Sequence, residues 1–212
     1  YNTIASANSV LDNISGHDFA ILPRIRGEAL TVRAFLHFDL LRLFAPNIER
    51  GDEQAIPYVE HFSISPVERS TVREVYERIV ADLTEAYGLL RDAQPASGRT
   101  PEELYVSQYA AAALLARVCN WGGDHETAER YALEALKGPF AFIREEQIKN
   151  LFLGYTARTE CIWGLHAPDM YLDVRSRLYP TRLTDELDMV RDNYQTVSYT
   201  HLRAHETDSY LV

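Results

Sequence analysis

Apolar residues recur every three to four positions through most of the first 136 residues, and this spacing predicts a chain built mainly from α-helices. One predicted helix spans residues 23–44, and apolar side chains occupy nearly its whole circumference. A helix of this kind has to be covered on several sides, so we expect a multi-helix core in which Phe35 is buried. Its narrow polar stripe consists of Arg26, Arg33 and His37. A shorter helix over residues 1–14 has its apolar stripe at Ile4, Ala7, Leu11 and Ile14.

A long connection over residues 45–70, interrupted by Pro and Gly, leads to the most regular amphipathic pattern of the chain, over residues 72–90. Thr71 and Glu74 have the spacing of a capping box, in which two side chains satisfy free N–H groups at a helix start. The opposite, charged face, which includes Asp82, is predicted to be solvated. The apolar face is predicted to pack inward and consists of Val72, Val75, Tyr76, Ile79, Leu83, Ala86, Tyr87 and Leu90.

Two further helices are predicted, one over residues 109–119 and one that starts after Asp124, whose carboxylate is placed to cap it. Alanines dominate the first of them and allow a neighbouring helix to approach closely. The spacing of small residues resembles a tetratricopeptide repeat, so we expect tetratricopeptide-like helix pairs over residues 1–138. The inner face of the last helix is predicted to be Ala128, Tyr131, Ala132, Ala135 and Leu136.

The pattern changes after residue 139. Residues 159–166 alternate apolar and polar or small side chains, which predicts one strand with Cys161, Trp163 and Leu165 on one face. Residues 167–196 are predicted to be loops with a short amphipathic piece at 183–190. The predicted fold class is therefore mainly α, with a short strand and loop region over residues 139–196.

Both ends of the chain are unusual. The sequence opens on Tyr1 rather than Met, and no basic-then-apolar leader can be read in it. We expect a truncated start that would have removed such a leader, and a protein that is longer at both ends. Residues 197–207 resemble one reading frame of a transposon-end adapter used for sequencing libraries. We expect one domain over residues 1–196 and an artefactual tail over residues 197–212, the alternative being a natural polar tail. Three residues are therefore not interpreted as metal ligands: His201, His205 and Glu206.

The net charge and the amino-acid composition argue against several classes of function. The 212 residues include 31 acidic and 21 basic side chains, a net charge of −10, which argues against nucleic-acid binding because phosphate contacts need a surplus of Lys and Arg. No apolar run approaches the roughly 18 residues that a membrane-spanning helix needs. The two cysteines, Cys119 and Cys161, are too few for a zinc site or a disulfide framework and are expected to be buried. No metal or cofactor is predicted.

The sequence contains no glycine-rich phosphate loop, Gly-x-Ser-x-Gly elbow or His-Glu-x-x-His helix. His125 and Glu129 lie one helical turn apart and form either a surface contact or two ligands of a metal. Glu160 and Asp169 are a conceivable carboxylate pair for glycoside hydrolysis, although the sequence does not fix their separation. Cys119 lacks a basic neighbour that would activate it as a nucleophile. No catalytic centre is predicted.

Aromatic residues are the better candidates for ligand contact. Trp121 lies at a predicted helix turn, where packing in the core is the expected role and ligand stacking the alternative. Tyr171 and Tyr179 fall in the predicted loops after the strand, where they are free either to stack on a ligand or to remain ordinary surface residues. Asp169 and Arg175 lie beside them in sequence as hydrogen-bonding partners.

Three stretches of the sequence resemble the SusD/RagB family: residues 1–11, residues 26–44 and Ile56-Pro57-Tyr58. The most specific piece is the Glu-x4-Arg-Ala-Phe pattern at Glu28, Arg33, Ala34 and Phe35. The order of the helices over residues 75–118 is also similar, and the resemblance covers about residues 1–166. The chain differs from the family in having Ala45 where a glycine is usual. It also lacks the family's lipid-bearing cysteine and most of its C-terminal half.

The resemblance implies a lipid-anchored outer-membrane protein of Bacteroidetes that binds oligosaccharides or polysaccharides, caps a SusC-like TonB-dependent transporter and is not an enzyme. It implies a membrane attachment only through the lipid anchor; no nucleic-acid partner is expected, because of the net charge of −10. In the family, too, sugar contacts come largely from loops around and beyond the predicted strand, but no residue-level motif transfers them to this sequence. Tyr171, Tyr179, Asp169 and Arg175 are candidates because they lie in the predicted loops. The alternative is an intracellular tetratricopeptide scaffold, which should continue to repeat at a period of about 34 residues.

Overall fold

A computed structural model describes residues 1–63, 65–93, 105–144 and 160–164. The described part is mainly helical, as predicted, and residues Tyr1–Gly164 form one compact unit. Its helices pack in chain order, each against the next. The elements are α1 (Asn2–Ile14), α2 (Leu22–Phe44), a 3-10 turn (Ile48–Arg50), α3 (Val72–Asp92), α4 (Gln108–Trp121) and α5 (His125–Ala135).

Local sequence signals fix the starts of α3 and α5. The predicted capping box is confirmed at α3, where the Thr71 N–H donates to Glu74 Oε2 at 2.8 Å and the Glu74 N–H donates to Thr71 Oγ1 at 3.3 Å. Asp124 caps α5 by accepting a hydrogen bond from the Thr127 N–H at 3.1 Å. Three backbone donors at the two helix starts are thus satisfied by residues recognisable in the sequence.

The main core lies between α2, α3 and α4. Val75, Ile79 and Leu83 on α3 are fully buried, which confirms that the apolar face of α3 packs inward, and α3 lies against α4. Trp121 packs edge-on against Phe38, with ring centroids 5.8 Å apart, and is half-buried. The predicted core role of this tryptophan is therefore confirmed. The turn after it depends on Gly123, whose φ of +83° favours glycine.

The burial of α2 and α5 differs in part from the prediction. The phenylalanine of α2 that is fully buried is Phe38, whereas Phe35 is only half-buried. At the end of α2, Leu43 is 73% exposed. On α5, Ala128 and Ala135 are buried as predicted. Two members of the predicted inner face of α5 are exposed: Ala132 and Leu136.

The strand predicted over residues 159–166 is wrong where the structure describes it. Residues 160–164 form a turn and bends. The neighbouring residues Ile162 and Trp163 both pack against the core, and Trp163 meets Phe35 edge-on with ring centroids 5.5 Å apart. A half-buried strand would send successive side chains to opposite faces. Within the described ranges the only β-type pairing is an isolated bridge between Gln54 and Thr71.

Candidate functional site

A surface groove separates the first turn of α1 from part of the connection between α2 and α3. From residue 57 to residue 67 every second residue lines it, as expected for an extended chain. The cavity measures about 220 Å³ and combines apolar side chains with hydroxyl, phenol and imidazole groups. We call residues 57–63 the wall segment. The lining residues are Tyr1, Ile4, Ala5, Pro57, Val59, His61, Ser63, Ser65 and Val67.

Behind the wall segment lies a buried ion pair that joins α2 to α3. Arg33 Nε donates to Asp82 Oδ2 at 2.6 Å, and Arg33 Nη2 donates to Asp82 Oδ1 at 2.7 Å. The Tyr58 hydroxyl donates a third hydrogen bond to Asp82 Oδ2 at 2.5 Å. Burial, together with the charge of Asp82, raises the pKa of Tyr58. The phenol therefore remains a proton donor, and the carboxylate of Asp82 is satisfied by two partners.

The same arginine binds the wall segment and α1. Arg33 Nη1 donates to the Glu60 carbonyl at 3.0 Å and to Asn8 Oδ1 at 3.2 Å. Asn8 is fully buried, and its Nδ2 donates to the Val59 carbonyl at 2.8 Å. Three helices and the wall segment thus share one hydrogen-bond network. Because buried polar groups are costly without partners, the network fixes the position of the wall segment.

His37 completes the network from α2. Its Nδ1 lies 2.9 Å from the Arg33 carbonyl and its Nε2 lies 3.1 Å from the Val59 backbone nitrogen. A carbonyl only accepts and an amide N–H only donates, so the proton of the neutral ring is on Nδ1. The ring stacks on Tyr58 with centroids 4.1 Å apart. Burial lowers the pKa of His37 to about 4, and the positive charge of Arg33 acts in the same direction.

The outer rim of the groove is polar. His61 Nδ1 lies 2.8 Å from Asp12 Oδ1, and the Phe62 N–H donates to Asp12 Oδ2 at 2.8 Å. The hydrogen bonds from His61 and Phe62 hold the pKa of Asp12 below its usual value. The His61 side chain itself is 81% exposed. This rim offers hydrogen-bonding groups to a ligand that enters the groove.

The binding residues predicted from the sequence are not tested by the structure. Tyr171, Tyr179, Asp169 and Arg175 lie outside the described residues, as do residues 165–212 in general. Glu160, the other half of the conceivable carboxylate pair, is exposed and accepts a hydrogen bond from the Ile143 N–H. The separation of the carboxylate pair stays open.

The remaining candidates, for metal binding or nucleophilic catalysis, are not among the residues that line the groove. His125 Nδ1 is 3.1 Å from Asn120 Oδ1, and Glu129 is exposed. The described residues contain no cluster of three or more side chains suited to a metal ion. Cys119 is buried, and burial raises the pKa of its thiol, which disfavours the thiolate that a nucleophile needs. Cys161 is half-buried, less than was expected.

A comparison with models of protein families shows which family the chain belongs to. Residues 1–119 match the SusD-like family model described as starch-binding and associating with the outer membrane. The chain belongs to the SusD-like family. None of its helices in the described ranges is long and apolar enough to cross a membrane. Two hypotheses were drawn from the sequence. The family assignment favours the outer-membrane glycan-binding protein over the intracellular tetratricopeptide scaffold.

Individual relatives agree with this assignment. The SusD-like protein P2 of Formosa agariphila is 30% identical over 162 residues, which cover 72% of this chain and 29% of that protein. A SusD superfamily structure from Bacteroides thetaiotaomicron superposes with a TM-score of 0.69 at 27% identity and covers 80% of this chain. A SusD-like carbohydrate-binding protein from Bacteroides vulgatus gives 0.65 and 26%, and covers 77% of this chain. The chain spans 38% and 35% of these two structures.

The buried network of this SusD-like chain was only partly recognisable beforehand. Arg33 and Tyr58 belong to the stretches that carry the family resemblance, but their hydrogen bonds to Asp82 are not predictable from those stretches. Asp82 shares a face of α3 with other charged residues, which predicts that it is solvated, but it is only 8% exposed. Asn8 is a polar residue beside the apolar stripe of α1, and His37 belongs to the narrow polar stripe of a helix that is otherwise apolar. That pattern is the signal by which a buried network can be suspected.

Proposed function

We propose that this protein is the glycan-binding component of a TonB-dependent oligosaccharide uptake system at the bacterial outer membrane, and that it captures sugars without cleaving them. The observation that carries the proposal is the family match over residues 1–119, whose description names both starch binding and the outer membrane. The relative from Bacteroides vulgatus, described as carbohydrate-binding, supports the same ligand class. A lipid anchor attaches the protein to the cell surface.

In this proposal the helical unit is a rigid support and the loops bind the sugar. Exposed aromatic rings accept the C–H faces of sugar rings, and polar side chains at the edge bind the hydroxyl groups. Such residues are commonly carried on loops held by a rigid scaffold. We assign the stacking role to Tyr171 and Tyr179 and the hydrogen-bonding role to Asp169 and Arg175.

Isothermal titration of the full-length protein against a glycan panel tests the ligand class. We expect binding to at least one oligosaccharide, weakened by about 0.5–1.5 kcal/mol in Tyr171→Ala and in Tyr179→Ala. Phe19→Ala is the matched control, because it removes an aromatic side chain that is 64% exposed from the loop between α1 and α2. Loss of binding in the control, with both tyrosine variants unaffected, would reject the site.

The uptake role and the absence of catalysis need separate measurements. We expect a SusC-like transporter to co-purify with the tagged lipoprotein from detergent-solubilised outer membranes. Recovery of the protein without a transporter, although the sugar still binds, would limit the proposal to glycan capture. Release of reducing sugar during the titration would instead support a glycosidase.

A further inference from the structure

His37 connects the helical core to the wall segment through a bond that only one protonation state of the ring can make. Its Nε2 accepts the Val59 N–H at 3.1 Å while its Nδ1 proton is donated to the Arg33 carbonyl at 2.9 Å. The ring is fully buried and stacked on Tyr58. Because the ring is enclosed, neither nitrogen can reach solvent or a second partner without displacing its neighbours.

Protonation would place a second N–H donor in front of the Val59 N–H donor. Two donors at this distance repel each other, and the imidazolium charge would also lie near the Arg33 guanidinium. We propose that His37 is an acid-sensitive latch, whose neutral form holds the wall segment against the core and whose protonation releases it. Because Pro57, Val59 and His61 line the groove, its shape then depends on the state of the latch.

The surrounding charges do not replace the lost bond. Asp82 is the nearby anion that would favour the imidazolium, but it already accepts two hydrogen bonds from Arg33 and one from Tyr58. On the α1 side the network residue is Asn8, which does not titrate, and Asp12 is engaged with His61. The balance of burial and these charges leaves the pKa of His37 at about 4. The charged or titratable groups around the ring are Arg33 on α2, Asp82 and Arg78 on α3, Tyr58 and Glu60 on the wall segment, and the more distant amino group of Tyr1.

Residue-resolved hydrogen exchange of the intact protein between pH 6 and pH 4 tests the latch. Each rate is divided by the intrinsic rate at the same pH, which removes the pH dependence of the exchange chemistry itself. We expect the protection of the Val59 amide to fall about tenfold per pH unit, since the released state binds one more proton than the latched state. The Leu136 N–H donates to the Ala132 carbonyl just beyond the end of α5, away from His37, and should keep its protection.

The comparison with Ile79 separates local release from unfolding. Ile79 is fully buried in α3, so its amide should exchange only through global unfolding. We expect Val59 to be less protected than Ile79 at every pH. Equal protection of the two amides would mean that the wall segment opens only when the whole unit unfolds, and this would overturn the proposal.

His37→Gln and His61→Gln form the matched pair of variants. Gln at position 37 keeps an oxygen acceptor for the Val59 N–H but does not titrate, so Val59 protection should no longer depend on pH. His61 is exposed, and its replacement should leave the fall intact. If His37→Gln does not fold, the wild-type imidazole resonances decide. A His37 midpoint near 4 that coincides with the loss of Val59 protection supports the latch, and a midpoint near 6.5 or unchanged protection overturns it.

Discussion

Arg33 connects three parts of the helical unit through polar contacts. Its guanidinium binds a carboxylate on α3, an amide on α1 and a carbonyl of the wall segment. The planar, forked geometry of arginine suits this task, because several donors point in fixed directions from one group. A lysine would offer a single point charge and would not satisfy all three partners in the same way.

Arg33→Ala is expected to lower the free energy of unfolding by about 3–5 kcal/mol, because it leaves the Asp82 carboxylate buried without its counter-charge. Arg26→Ala is the matched control. Arg26 also joins α2 to α3, through Glu85 at 2.6 Å, but both side chains are more than two-fifths exposed. Its loss should cost less than about 1 kcal/mol. Urea denaturation measures both, and equal shifts would contradict the special role of the buried pair.

The two phenylalanines of α2 offer a second comparison. Phe38 is fully buried between Trp121 and the core, so Phe38→Ala is expected to cost about 3–5 kcal/mol through the cavity that it leaves. Phe35 is only half-buried, and Phe35→Ala should cost clearly less. The midpoints of urea unfolding show which of the two substitutions lowers the stability more. A larger loss for Phe35 would show that its contact with Trp163 matters more than burial does.

At the level of elements, the packing of α2 on α3 depends on a close approach of the two backbones. A Cβ atom on Gly27 would lie 2.8 Å from Leu90 Cγ and 3.2 Å from the Ala86 carbonyl oxygen. The glycine therefore sits where the two helices meet and has no room for a side chain. Gly88, also inside a helix, has open space around it.

These two glycines give an opposite pair of predictions. Gly27→Ala is expected to destabilise the protein by about 1–3 kcal/mol through overpacking, even though alanine favours helix formation. Gly88→Ala should stabilise it by about 0.5–1 kcal/mol, because only the helix propensity changes. Thermal melts of both variants check the signs. Stabilisation by both would mean that α2 and α3 separate easily.

At the level of the whole molecule, the free energy of unfolding depends on pH because the buried side chain of His37 titrates differently in the folded and unfolded chain. The pKa of His37 is lowered from 6.5 to about 4 by burial. The unfolded chain therefore binds more protons than the folded one between these values, and stability falls as the pH falls.

We expect the free energy of unfolding to decrease by about 3 kcal/mol between pH 6.5 and pH 4, at about 1.4 kcal/mol per pH unit. The carboxyl groups with lowered pKa values, such as Asp12 and Asp124, contribute at more acidic pH. Urea titrations at fixed pH values measure the slope. In His37→Gln this part of the pH dependence should disappear, and its persistence would assign the effect to another group.

The sequence by itself determined the helices, their caps and the family. Periodic apolar stripes and the capping box at Thr71 and Glu74 depend on residues close together in the chain, so local reasoning recovers them. The tertiary structure decided which polar residues are buried. Arg33 and Asp82 are 49 positions apart and each resembles an ordinary surface charge until the other helix supplies its partner. The tertiary structure also decided the conformation of residues 160–164. There, contacts with distant core residues outweigh the local alternation of apolar and polar side chains that predicts a strand.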